Sequence, residues 1–428
     1  MSKNYILLFT GLALGLGWAI RGHFGHEWGA SWAGAMGALA LILVVNRKDW
    51  LAHAPTLAAL GAAGWAIGGM MSYGIVIGYC RGTDYWNVIY GYTMLAVIGG
   101  LYGFMGGGFL GLGLASSADK KPDWAALISQ MVAGAYLFWG FIIYQLEWFM
   151  TPPRSELWAA CLGAAVALGW YLYREGYFNA LSVALYSALG AGFGFAFGNF
   201  LQVLGSASGI AYNWWNVMEF TLGLCGGIGM AYAVLRNEWP KKAKPSSPTN
   251  WLALVFVFAL IPFINYVNAF SGNKLSKLAE QFSIADSASF VSRQQLFGGI
   301  ILLVMALATA IVWRNFQRVT KKNNQLIGPF LFFACSFYYL LFSYIIKGFF
   351  IRPFSFGQSD TAYLPLLIVM GILWRFGAKK AQANPVFAAG ISTKKSYRLF
   401  IALIISLLFI AFVSIQVHDG LGGMQTRF

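Results

Sequence analysis

Residues 17–43 read GWAIRGHFGHEWGASWAGAMGALALIL. One apolar run ends at Ile20, a second continues from Trp28, and the few residues between them hold Arg21, His23, His26 and Glu27. Each run has the length that carries an α-helix across ~30 Å of hydrocarbon, so the stretch predicts a tight helical hairpin in a membrane. The rest of the 428-residue chain agrees: 59% of residues are hydrophobic, 17% aromatic and only 10% charged, with a mean hydropathy of +0.64. Ten-residue alternating segments, the mark of a transmembrane β-barrel, do not occur.

The predicted fold is therefore an all-α, polytopic transmembrane helical bundle. It has about 13 spans, centred on 4–20, 28–45, 54–73, 88–115, 124–145, 157–173, 179–198, 214–235, 250–270, 296–313, 326–346, 361–376 and 398–417. The longest connections, 271–295 and 377–397, are too short to fold as soluble domains. Within the first of them, Leu275, Leu278, Ala279 and Phe282 recur at helical spacing, which predicts a short amphipathic helix on the outer surface.

Positive residues favour the cytoplasmic side. With the N-terminus inside, inner segments hold 20 of the 29 Lys and Arg residues and outer segments 9. The expected topology is N-inside and C-outside, in the inner membrane of a bacterium. The net charge of +15 is then an orientation signal facing anionic lipid, and nucleic acid is not an expected partner. The four cysteines are scattered, with no disulfide or metal spacing.

The opening motif recurs. GWAIRG at 17–22 is echoed by GWAIGG at 64–69 and GFAFGN at 194–199; WNV follows the second and third copies, at 86–88 and 215–217. All three begin on helices running inside to outside, so tandem Gly-rich hairpins are expected in the N-terminal half. On this recurrence the N-terminal stretch is expected to be the first span of the first hairpin rather than a cleaved signal peptide. The fifth and sixth spans, joined by residues 144–158, read as a degenerate fourth copy. Residues 1–236 hold 39 of the 51 glycines, which predicts a close-packed bundle of about eight helices there. Residues 237–428 read as a second bundle of about five helices that buttresses it.

Chemistry gathers on the expected outer side. The substrate-binding candidates are Arg21, His23, His26 and Glu27 from the first hairpin; Arg81, Asp84, Trp86 and Asn87 from the second; and Asn199, Asn213, Trp215, Asn216 and Glu219 from the third. Glu147, Trp148, Arg154, Glu156, Arg352, Gln358, Asp360, His418 and Asp419 lie on the same side. Arginine suits bidentate recognition of an anion, and aromatic faces beside amides suit a sugar ring. Glu219 falls inside an apolar run, where charge faces a cavity or a partner. Arg21, His23, His26 and Glu27 are expected to dip into the bundle and meet Arg81, Asp84, Asn216 and Glu219. The spacing HxxHE is not the metalloprotease signature, so no metal site is assigned. With no nucleotide loop or nucleophile elbow, the cofactor stays unknown.

The expected function is transport of a small polar, anionic, sugar-acid-like solute. The alternatives are a membrane-embedded enzyme acting at the outer face on a lipid-linked or glycan substrate, and a structural subunit of an envelope complex.

Overall fold

The computed structural model describes residues 2–318, 324–347, 358–379 and 393–428, and these are all-helical, with no strand. Among the described residues, eleven helices are long and apolar enough to cross a membrane, the pattern of an integral membrane protein. Ala54–Gly69 and Tyr363–Lys379, which cover two further expected spans, are shorter helices.

Six helices form a closed ring. They are α1 (Lys3–Arg21), α2 (His26–Val45), α4 (Ala54–Gly69), α6 (Tyr85–Ala115), α9 (Phe178–Ala207) and α10 (Trp214–Arg236). Each packs along the next in that order, and α10 closes onto α1. The one-turn α3 (Lys48–Leu51) links α2 to α4, and the short α5 (Gly74–Tyr79) interrupts the connection from α4 to α6. Three hairpins thus build the ring, with their turns at one end (the hairpin end) and Arg47, Asp49 and Lys242 meeting at the other (the basic end).

Local chemistry sets these boundaries. Gly25 has φ +96°, a conformation that glycine adopts without strain, and it starts α2 at once after the turn. Asp84 and Asn213 accept the backbone N–H of Asn87 and Asn216, so both WNV segments begin their helices behind the same N-cap. At the basic end the Lys242 ammonium donates to the carbonyls of Gly113 and Ser116, covering the C-terminus of α6. Burial pushes that ammonium down to about 8.

Glycine explains how the ring closes. A Cβ on Gly17 would strike Ala33, one on Gly34 the Gly61 carbonyl, and one on Gly64 the Met105 carbonyl. Gly103 faces the Ser187 carbonyl, Gly194 that of Thr221 and Gly223 that of Leu14. A glycine therefore stands at every one of the six helix junctions, and the backbones approach to a distance that no side chain permits. The uneven glycine count of the chain reflects this ring.

The ring interior is filled with aromatic side chains. Trp18 meets Trp65 edge-on at 5.5 Å between ring centroids and stacks on Tyr102 at 5.2 Å. Tyr102 stacks in turn on Phe195 at 6.0 Å. Trp18, Trp65 and Phe195 are the second residues of GWAIRG, GWAIGG and GFAFGN, so these three segments converge on one point.

The remaining helices lie outside the ring. α7 (Trp124–Phe138, extended by a π-helical turn over Trp139–Gln145) and α8 (Ser155–Arg174) pair with each other against α6 and α9. That hairpin, expected as a degenerate fourth copy, is not a ring member. α11 (Ser247–Val255) and α12 (Ile261–Ala269), joined by a second π-helical turn, pack on α4 and α2. α13 (Gly272–Gln281) is the expected amphipathic helix, with Leu275 and Ala279 buried against α14 (Ser287–Arg318). α15 (Asn324–Ile346) lies on α2, where Tyr339 stacks on Trp32 at 4.4 Å and donates to the Gly29 carbonyl. The one-turn α16 (Gln358–Thr361) leads into α17 (Tyr363–Lys379), which follows α1, and α18 (Thr393–Ser414) covers α6 and α9.

Candidate functional site

At the hairpin end of the ring, Arg21 ends α1 and is 1% exposed. Its Nη1 donates to both carboxylate oxygens of Glu219, at 3.1 and 3.2 Å, and to the Tyr73 hydroxyl at 2.9 Å. Nη2 donates to His26 Nδ1 at 3.0 Å and to the Gly69 carbonyl at 3.3 Å, while Nε donates to the His26 carbonyl at 3.3 Å. The guanidinium lies over the Trp18 ring, 4.5 Å from its centroid. Residues from all three hairpins therefore hold one cation.

The donor inventory fixes the protons. Guanidinium has donors only, so His26 Nδ1 accepts, and a neutral imidazole then carries its proton on Nε2. The Tyr73 hydroxyl accepts from Arg21 and donates to Glu219 Oε1. Every N–H direction of Arg21 meets an acceptor, and the carboxylate of Glu219 is buried with it. A second anion reaches this guanidinium only by replacing Glu219.

Of the thirteen candidates, then, Arg21, His26 and Glu219 meet. Trp215 stacks on Tyr73 at 6.1 Å and borders the group. Asn216 lies three residues before Glu219 and donates to the Tyr363 hydroxyl, which donates to the Ala19 carbonyl at 3.2 Å.

The other candidates turn elsewhere. His23 faces away from His26: its Nδ1 lies 2.5 Å from Ser343 Oγ and its Nε2 3.4 Å from Asp360 Oδ1, joining the first hairpin to α15 and α16. Burial, with the Lys347 ammonium adding to it, pushes the His23 imidazole down to about 3, and burial pushes the Asp360 carboxyl up. Glu27 is half-exposed and pairs with Arg154 at 3.3 Å. Asn199 is fully buried; the Cys80 thiol is its polar neighbour, and its amide finds no hydrogen-bond partner among the described residues. Asn213 is an exposed N-cap, and Trp86 is 71% exposed.

The expected meeting of Arg81 and Asp84 with the charge pair does not occur. Asp84 is spent on its N-cap, and Arg81 donates to the Gly422 carbonyl at 2.6 Å. Asn87 donates to the Gln425 carbonyl and accepts from the Arg427 N–H, at 2.9 and 2.7 Å. The Gly78 carbonyl accepts from Gln425, and that of Arg81 from Leu421. These residues of the second hairpin hold the chain's own segment 421–428. Arg352 and the Gln358 side chain lie outside the described residues.

Sequence reasoning missed Tyr73, Ser343 and Tyr363. Tyr73 closely follows GWAIGG, and a hydroxyl just past a repeated motif was the available signal. Among the described residues no three His, Cys, Asp or Glu side chains cluster as metal ligands, and all four cysteines are free. Compared with known protein families and with curated proteins, the chain matches no family model and no curated relative.

Proposed function

We propose that this helical membrane protein transports a small polar anion of the sugar-acid class, taken up where the three hairpin ends meet. The observation that carries the reading is the Arg21–Glu219 pair, buried inside a ring of helices at the junction of all three hairpins. A buried pair of this kind is costly to maintain, and intramembrane charges mark solute or ion pathways. A solute carboxylate offers Arg21 the same two oxygens that Glu219 does. The solute displaces Glu219, and the freed carboxylate becomes the element whose position differs between loaded and empty states. Trp18, Tyr73 and Trp215 beside the pair suit a sugar ring.

In this reading the chain has thirteen spans, with the N-terminus inside and the hairpin end outside, and the ring arose by triplication of one hairpin. The shared N-cap positions of Asp84 and Asn213 and the convergence of Trp18, Trp65 and Phe195 support the triplication. Proteoliposomes supplied with radiolabelled hexuronates should accumulate them, the matching neutral hexoses should compete poorly, and Arg21→Gln should abolish uptake. A correctly inserted wild-type protein that moves no anion of the panel would refute the reading.

One observation favours the enzyme reading: a histidine, His23, placed between Ser343 and Asp360. In that case Ser343→Ala would end turnover of a lipid-linked glycan, whereas the transport reading expects that variant to retain hexuronate uptake.

A further inference from the structure

A slot of about 670 Å³ opens on the outside of the ring, between α9, α10 and α18. Tyr186, Phe193, Cys225, Tyr232, Leu399 and Leu403 are among the side chains that form it. Each of the three helices contributes over eight residues, so the slot runs ~10 Å along them, about two-thirds of one hydrocarbon leaflet.

Its two ends differ. Toward Phe193 and Cys225 the walls are apolar apart from Ser406, whose hydroxyl is turned back onto the Leu403 carbonyl. At the other end the Tyr186 and Ser396 hydroxyls lie 2.9 Å apart, and Tyr186 leans on Tyr232. The Arg236 guanidinium sits over the Tyr232 ring at 5.4 Å, one helical turn further along the same stripe of α10. Arg236 is half-buried, and no carboxylate pairs with it among the described residues. Lys241 and Lys244 follow it in sequence, while the Lys242 ammonium is held on the Gly113 and Ser116 carbonyls. The slot is therefore an apolar bore with a basic, hydroxyl-bearing mouth.

We infer that this slot binds an anionic glycerophospholipid, with an acyl chain in the bore and the phosphate against Arg236. A partner helix would need an open, uniformly apolar face, whereas here the mouth is bridged by Tyr186 and Ser396. A free phosphate would leave the bore unfilled. A zwitterionic lipid fills the bore but brings its own cation to the mouth. The anionic lipid satisfies both ends, since guanidinium–phosphate bonds are among the stronger charge-assisted contacts.

The test uses the full chain in a neutral detergent, titrated with phosphatidylglycerol, phosphatidylcholine or inorganic phosphate while thermal unfolding is followed. Phosphatidylglycerol should raise the midpoint at about tenfold lower concentration than phosphatidylcholine, as loss of one charge-assisted contact implies. Inorganic phosphate should leave it unchanged. Arg236→Gln should erase the preference between the lipids, Arg236→Lys should keep most of it, and Ala402→Trp, which fills the bore, should remove stabilisation by both. Equal response of the wild type to the two lipids, a response to phosphate alone, or an unaltered response of Ala402→Trp would overturn the assignment. None of these outcomes depends on whether the ring transports a solute.

Discussion

Removing one partner of the Arg21–Glu219 pair should cost far more than removing both. At the 3.1 Å separation of Nη1 and Oε1, an effective dielectric of about 20 gives an attraction of about 5 kcal/mol. Burying the two ions has already consumed most of that, so the intact pair is close to neutral for stability. Arg21→Met strands the Glu219 carboxylate with the Tyr73 hydroxyl as its remaining donor, and Glu219→Gln strands the guanidinium. Each single change should cost about 3–5 kcal/mol. The double variant strands neither ion and should cost well under the sum, giving a coupling energy of at least about 3 kcal/mol. Tyr73→Phe removes a hydroxyl that bridges both ions but leaves the pair, so its cost should be smaller, about 1.5–3 kcal/mol. Unfolding in mixed micelles, followed by circular dichroism across the four proteins of the cycle, measures these differences. If the single costs add to within about 0.5 kcal/mol, the two side chains are independent and the description of a shared buried charge site is wrong.

Acid should loosen the junction of the first hairpin with α15 and α16. The folded His23 imidazole is held at about 3 against 6.5 in the unfolded chain, so between those values the unfolded state binds more protons and stability falls as pH falls. The raised Asp360 carboxyl works in the opposite sense and offsets part of the loss. Wild type should lose up to about 1.4 kcal/mol per pH unit below 6.5 relative to His23→Asn, and parallel pH profiles of unfolding would contradict this. Gly103→Ala drives a methyl into the Ser187 carbonyl and should cost about 1–3 kcal/mol. Gly100→Ala on the same helix meets Ala188 at an ordinary 3.8 Å and should be neutral or mildly stabilising, so equal thermal midpoints for the two variants would refute the close-packing account.

Much of the fold was legible because span length and hydropathy are local properties. All thirteen expected segments coincide with helices, although two of these fall short of a full crossing length. The short α5 and the two π-helical turns were not legible, since nothing in their composition separates them from the neighbouring helix. Within the site, Glu219 could be found because a carboxylate in an apolar run demands a partner, and Arg21 and His26 because they crowd a short turn. Tyr73 was hidden because tyrosine at a span end reads equally as an interfacial belt residue. Arg81 and Asp84 were grouped with the charge pair on the strength of sharing a side, but side alone does not fix neighbours. Arg81 finds its partner in Gly422, Asp84 caps its own helix, and the partners of His23 lie 320 and more positions away, where pattern carries no information about contact.

The embrace of residues 421–428 by the second hairpin also sets an order of events. Asn87 emerges 340 positions before Arg427, its partner. At synthesis rates of 5–20 residues per second, the groove beside Asn87 and Arg81 waits roughly 20–70 s for its occupant. The six-helix ring can close during that interval, whereas the tail contact cannot. Docking of residues 421–428 is thus a late event, and a protease that samples the hairpin end would distinguish chains synthesised past Arg427 from shorter ones.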